Sequence, residues 1–289
     1  MKYNKKNFTY GCELEFADVC IDNELPEGCV WNKKDISLVN SNGVANDPLG
    51  ITTKFGGEIN TRPTNNIDDQ AILCYEIIKN LNPKPVINYK CALHIHIKIP
   101  GLTENLEDLK NLLKYCYKND LRAFEITSKI EKPEKLNKVS YKEYKRVCDS
   151  WHYKIKKSVY LKVLEAKTIE EFIEFHNKSI NSHGLTKRAG INFIQLKETG
   201  TIEFRHFFGT TNFVEIFACL KWCDDFITEG LTTQKTPDEI LEENKKNNLN
   251  FKFPEQKKFD FKLQSIFNLT NLKKNKRKDV LKYLLNNKI

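Results

Sequence analysis

Residues 11–16 read Gly-Cys-Glu-Leu-Glu-Phe, and the alternation in that stretch decides the architecture. Successive side chains on a β-strand point to opposite faces, so Glu13 and Glu15 share one face while Cys12, Leu14 and Phe16 share the other. The same spacing recurs twice. His94 and His96 alternate with Leu93, Ile95 and Ile97, and Glu203 and Arg205 alternate with Ile202 and Phe204. Ionised groups clustered on a half-buried sheet are costly unless a counter-charge compensates them. A metal ion and an anionic ligand supply that compensation. The pattern predicts a sheet whose polar face is the floor of a metal-dependent active site.

Working outward, the first strand is expected over Phe8–Val19 and a second over Trp31–Val39, with Asp35 and Ser37 embedded in it. Turn-forming residues fill Asn40–Gly50. A third strand, Phe55–Arg62, carries Glu58, Asn60 and Arg62 on one face and ends at Pro63. A helix follows over Asn66–Leu81, with Asp68 and Asp69 at its positive end. The histidine strand spans Lys90–Ile99. From Glu104 to about Ser182 the chain reads as helical, with Thr168 and Glu171 forming a capping box. A hairpin of Arg188–Lys197 and Thr201–Phe207 turns at Glu198-Thr199-Gly200, and Asn212 caps a further helix. Strands on both sides of a helical block predict an α+β fold. An antiparallel or mixed sheet would form the floor, with helices behind it and a helical insertion at about 102–184. Residues 1–230 are expected to form the catalytic domain and 231–289 a basic, mostly helical extension.

The 289 residues are 40% hydrophobic and 29% charged. No run of eighteen apolar residues indicates a membrane span, and the polar, basic N-terminus shows no secretory signal. The nine cysteines include no C-x-x-C pair, which fits reduced thiols in a cytoplasmic protein. Lys and Arg outnumber Asp and Glu by 14 to 7 in residues 231–289 and by only 33 to 31 before them. The positive excess therefore sits in the last fifth of the chain, a surface that suits a polyanion or simply a solvated helix face.

Glu13, Glu15, Glu58, His94, His96 and Glu203 make a ligand set for divalent metal. Carboxylates this numerous repel one another without a cation. Oxygen-rich sets suit Mg²⁺ or Mn²⁺, whereas H-x-H with one carboxylate would suit Zn²⁺ and leave three acids without a role. Arg205 shares a face with Glu203, Arg188 opens the paired strand and Arg62 follows Glu58. Arginines among metal-bound acids suit an anionic substrate with charge developing in the transition state.

Six segments then stand in order: Gly-Cys-Glu-Leu-Glu-Phe (11–16), Asp-Ile-Ser-Leu (35–38), Gly-Gly-Glu-Ile-Asn (56–60), Cys-Ala-Leu-His-Ile-His-Ile (91–97), Arg-Ala-Gly-Ile-Asn-Phe (188–193) and Gly-Thr-Ile-Glu-Phe-Arg-His-Phe-Phe-Gly-Thr (200–210). From Tyr10 to Thr211, outside the helical insertion, the chain resembles the amidoligase family, relatives of glutamine synthetase and glutamate–cysteine ligase. The resemblance implies a glutamine synthetase-like catalytic fold. It implies metal-binding acids at Glu13, Glu15, Glu58 and Glu203, with a histidine ligand or nucleotide contact at His94 or His96. It also implies phosphate-contacting arginines at Arg205 and Arg188; the reading of the floor from its residues adds Arg62 as a further candidate for the nucleotide. The implied reaction uses ATP and Mg²⁺, or Mn²⁺, to join a carboxylate and an amine through an acyl phosphate. Glu203, Arg205 and Arg188 would be the catalytic residues. Two other classes compete: a metal-dependent hydrolase using the same ligands, and a nucleic-acid-binding module with a degenerate site and a basic tail.

Overall fold

The computed structural model describes residues 3–16, 19, 23–32, 57–82, 84–87, 91–127, 155, 157–178 and 189–232. Within these, β1 (Thr9–Phe16), β2 (Val30–Asn32), β3 (Gly57–Asn60), β4 (Ala92–Lys98), β5 (Ile191–Asn192) and β6 (Thr201–Phe208) form one sheet in the order β2-β3-β1-β4-β6-β5. All its pairings are antiparallel. The helices are α1 (Ile67–Asn80), α2 (Leu106–Thr127), α3 (Lys157–Leu164), α4 (Ile169–Lys178) and α5 (Phe213–Thr232). The chain divides into a unit of Met1–Leu241 and a unit of Glu242–Ile289, the second wholly outside the described residues. Arg188, the 35–38 segment, Gly56 and the basic extension beyond Thr232 also lie outside them.

The alternation in β1 resolves as the sequence predicts. Tyr10, Cys12, Leu14 and Phe16 are buried on the rear face, and Leu93, Ile95, Ile97, Ile202 and Phe204 continue that apolar surface across β4 and β6. Helices α1, α2 and α5 contact the sheet at β1, β6 and β4 respectively. Leu109, Leu112, Leu113 and Cys116 of α2 are fully buried, so the first helix of the insertion belongs to the core. The close approach of α5 to α2 depends on Gly230, where a Cβ would come within 2.7 Å of Leu112 and Tyr115.

One polar anchor crosses the rear face. The Tyr10 hydroxyl donates to Asp224 Oδ1 of α5 at 2.8 Å, and Lys5 Nζ lies 2.6 Å from Asp224 Oδ2. Asp224 is buried, and a buried carboxylate needs such partners.

Caps follow the sequence signals. Asn66 Oδ1 accepts from Asp69 N–H at the start of α1, and Asn212 Oδ1 accepts from Val214 N–H at the start of α5. Thr168 Oγ1 accepts from Glu171 N–H, while the Glu171 carboxylate reaches back to Lys167 N–H, one residue earlier than in a strict capping box.

Two expectations are corrected. The strand expected over Arg188–Lys197 is only Ile191–Asn192 in its described part, and a 3₁₀ turn, Ile194–Leu196, follows. The Asn192 side chain accepts from Ile194 N–H at 2.9 Å, which turns the backbone out of the ladder. The strand expected over Phe55–Arg62 ends at Asn60. Beyond it Thr61 bonds to Cys12 and Thr64 pairs with Tyr10, so Arg62 and Pro63 bulge opposite Gly11. The glycine of the hairpin turn behaves as expected: Gly200 has φ of +72°.

His176 of α4 is fully buried beside Phe193, with ring centroids 5.6 Å apart, and neither ring nitrogen has a hydrogen-bond partner among the described residues. Burial holds its pKa down, from 6.5 to about 4. Between those values the unfolded chain takes up a proton that the folded chain refuses, so stability falls as the pH drops through that window, by at most about 3 kcal/mol. His176→Leu is expected to remove this component and to leave stability at neutral pH equal or higher, because no unpaired ring nitrogen stays buried. Urea unfolding of both proteins at pH 4.5 and 7.5 measures the effect; an unchanged pH dependence in the variant would refute it.

Candidate active site

Register brings the polar residues together. In β1, Glu13 stands opposite His94 of β4 on one side and Asn60 of β3 on the other; Glu15 stands opposite Glu58. In β4, His96 stands opposite Glu203 of β6, which in turn stands opposite Asn192 of β5. These residues share the face opposite Cys12, Leu14 and Phe16. Between Leu93 and Ile95 the register against β6 shifts, placing the irregularity beside Arg205.

His94 is the hub. Its side chain is 2% exposed, and Nδ1 lies 2.6 Å from Glu13 Oε2 and 3.6 Å from Glu203 Oε1. Nε2 lies 3.7 Å from Glu15 Oε1. His96 makes a second contact to Glu13, Nε2 to Oε1 at 3.0 Å, and its Nδ1 is 3.0 Å from Thr201 Oγ1. Ionised carboxylates only accept, so the histidine nitrogens facing Glu13 carry the protons.

The electrostatics follow from this packing. Burial and the nearby Arg205 guanidinium hold the His94 pKa below the ordinary value against the pull of Glu13, which favours a neutral ring. Burial also acts downward on His96, but its bond to Glu13 and the charges of Glu13 and Glu203 outweigh it and raise the pKa. Burial alone would raise the Glu13 pKa; the bonds from His94 and His96 reverse that and hold its carboxyl well below the usual carboxylate range.

Each remaining acid is held by neutral donors or by Arg205. Ala92 N–H donates to Glu15 Oε2 at 2.7 Å. Asn60 and Asn32 both donate to Glu58 Oε1, at 2.8 and 3.2 Å. Glu203 accepts from Asn192 Nδ2 on Oε2 and from Arg205 on Oε1. Ligand atoms of Glu13, His96 and Glu203 lie within 4.8 Å of one another. Two carboxylates and an imidazole at that separation fit a divalent cation, which would replace the proton that His96 Nε2 holds against Glu13, while Thr201 steadies Nδ1.

Of the residues expected from sequence, Glu13, Glu15, Glu58, His94, His96, Glu203 and Arg205 share this face. Arg62 does not join the cluster. It is exposed, its stem rests against Gly28, and its guanidinium donates to the Glu27 carbonyl at 2.8 Å. Arg188 falls outside the described residues. Sequence reasoning missed Asn192, Asn32 and Thr201, the neutral side chains that orient the ionisable ones. Only Asn192 leaves a local trace, an asparagine interrupting an apolar run before a turn.

The cluster makes the His96 shift testable. In Glu13→Gln the influence of Glu13 is lost while burial and the Glu203 charge remain, so the His96 ring pKa is expected to fall. NMR titration of the ring protons would show this; a His96 pKa unchanged in the variant would disprove the coupling.

A family model described as "Putative amidoligase enzyme" matches residues 75–227. The matched stretch includes both histidines, Asn192, Glu203 and Arg205; Glu13, Glu15 and Glu58 precede it. No curated protein matches. Among solved structures, the crystal structure of a bifunctional glutathione synthetase from Pasteurella multocida aligns at a TM-score of 0.37 and 11% identity, covering 91% of this chain and 43% of that one. This chain thus spans less than half of that protein's length. The family match covers more than half of the chain, which belongs to the amidoligase family.

Proposed function

We propose that this amide-bond-forming ligase is ATP- and divalent-cation-dependent, works through an acyl phosphate and has a glutamine synthetase-like catalytic fold. Family membership supports the ligase class. The observation that carries the finer reading is the convergence of Glu13, His96 and Glu203 beside Arg205. Glu13, His96 and Glu203 would hold the cation, which we take to be Mg²⁺ or Mn²⁺ because acids dominate the face. Bound there, such an ion supplies neutralisation of phosphate charge and orientation of the transferring group.

The chain's own residues fill the other roles. The buried Nε–H of Arg205 has no acceptor among the described residues, and it is the donor offered to an anionic group on this floor. Arg188 is proposed as a second phosphate contact. His94 and His96 fix both oxygens of Glu13, and Asn60 and Asn32 fix Glu58, so little reorganisation is needed when charge develops. In the inferred reaction the substrate carboxylate attacks the terminal phosphoryl group of ATP and ADP leaves. The amine then attacks the acyl carbon, and its addition forms the C–N bond as inorganic phosphate departs. We propose residues 1–230 as the catalytic domain, 231–289 as a basic extension, and the cytoplasm as its place of action.

The test is ADP release in the presence of Mg²⁺ and a panel of carboxylates and amines. ADP should appear only when both substrates are present. Glu203→Gln and Arg205→Lys should each lower turnover by at least about a hundredfold while the far-ultraviolet circular dichroism stays that of the parent. Retained turnover in both variants would end the assignment, and cleavage of an amide or ester without ATP would favour a hydrolase.

A further inference from the structure

We propose that Asn192 is the positioning residue that turns the Glu203 carboxylate and so selects which of its two oxygens faces the cation-binding cluster. The inference rests on the cation site proposed above. Asn192 and Glu203 are each 1% exposed and stand directly opposite one another across β5 and β6. Asn192 Nδ2 donates to Glu203 Oε2 at 2.9 Å, and Asn192 Oδ1 accepts from Ile194 N–H at 2.9 Å.

The second bond makes the first one directional. An amide reversed about its long axis would set its oxygen against a carboxylate and its NH₂ against a backbone N–H, losing both bonds. The turn that ends β5 therefore locks the amide. Glu203 Oε2 is thereby taken, and Oε1 is left toward the cluster, 3.6 Å from His94 Nδ1 and 3.9 Å from His96 Nε2, where Arg205 also reaches it. Asn192 fixes Glu203 as a one-oxygen ligand and touches neither cation nor substrate itself.

This role makes a prediction of opposite sign to simple charge. Asn192→Asp keeps the size of the side chain and its bond to Ile194 N–H. It adds a carboxylate close to a cation site, which by charge alone would tighten binding of a divalent cation. By positioning, the new oxygen faces Glu203 Oε2, repels it and turns the ligand away. The full-length chain without nucleotide would be titrated with Mn²⁺, with free Mn²⁺ read by electron paramagnetic resonance and folding read by thermal melting. Asn192→Asp is expected to weaken Mn²⁺ affinity by about tenfold to a hundredfold, the usual effect of removing a group that orients a metal ligand. Asn192→Ser, neutral and shorter, should weaken it in the same direction.

Glu203→Gln separates the two ideas. If the parent binds Mn²⁺, Glu203→Gln loses it and Asn192→Asp binds as tightly as the parent or more so, the Asn192 role is overturned and the cation site stands. If the parent binds no Mn²⁺, or Glu203→Gln binds it equally well, the cation site is wrong and the role of Asn192 falls with it. Failure of both Asn192 variants to fold would assign the residue to the fold instead, and would also overturn the proposal.

Discussion

Carboxylate crowding is the constraint on which the site depends. Glu13, Glu15, Glu58 and Glu203 lie on one face of a single sheet, and the last three are buried. Uncompensated, such an arrangement would protonate or come apart. It holds because every acid is assigned donors: two histidines for Glu13, a strand N–H for Glu15, two asparagines for Glu58, an asparagine and an arginine for Glu203. A face of packed apolar side chains would be the more stable solution. Two of the four acids, Glu58 and Glu203, take asparagine amides, and in the reading proposed above this leaves room for a mobile positive charge.

How much of this was legible depended on the range of the cue. Alternation is local, so Glu13/Glu15, His94/His96 and Glu203/Arg205 could be assigned to one face from the letters alone, and the rear face followed. Register is not local. It puts Glu13 opposite His94 and His96 opposite Glu203, and it leaves ligand atoms of Glu13, His96 and Glu203 within 4.8 Å of one another. Two histidines on one face of one strand thus acquire different surroundings from their neighbours on β1 and β6.

Where reading by period failed, a side chain had intervened in the backbone. Continuing the two-residue period past Asn60 carried Arg62 onto the floor, but the Arg62–Pro63 bulge broke the phase and left its guanidinium on the Glu27 carbonyl. Continuing it through Phe193 gave a strand to Lys197, but the Asn192 amide captured Ile194 N–H and began a turn. Both failures lie at the borders of the polar face. Irregular backbone is tolerated there because it re-aims groups that a regular ladder would point elsewhere.

The topology gives the site a further property. Glu13, Glu15, Glu58, His94 and His96 come from the chain before the helical insertion, whereas Asn192, Glu203 and Arg205 come from after it. Within the sheet, among the described residues, the two halves meet where β4 pairs with β6, across a connection that includes α2, α3 and α4. That connection is no passive loop, since α2 is buried against β6 and α5. The first half alone holds three acids with two histidines to balance them. The second brings the arginine, and with Glu203 it completes the triad. Pairing of β4 with β6 therefore assembles the charge balance and brings the residues of the proposed cation site together in one step, and a cation held there would stabilise that pairing by its own binding free energy. Helix packing behind the sheet and ligand binding in front of it act on the same seam, which is why apolar substitutions in α2 and polar ones on the floor should not be energetically independent.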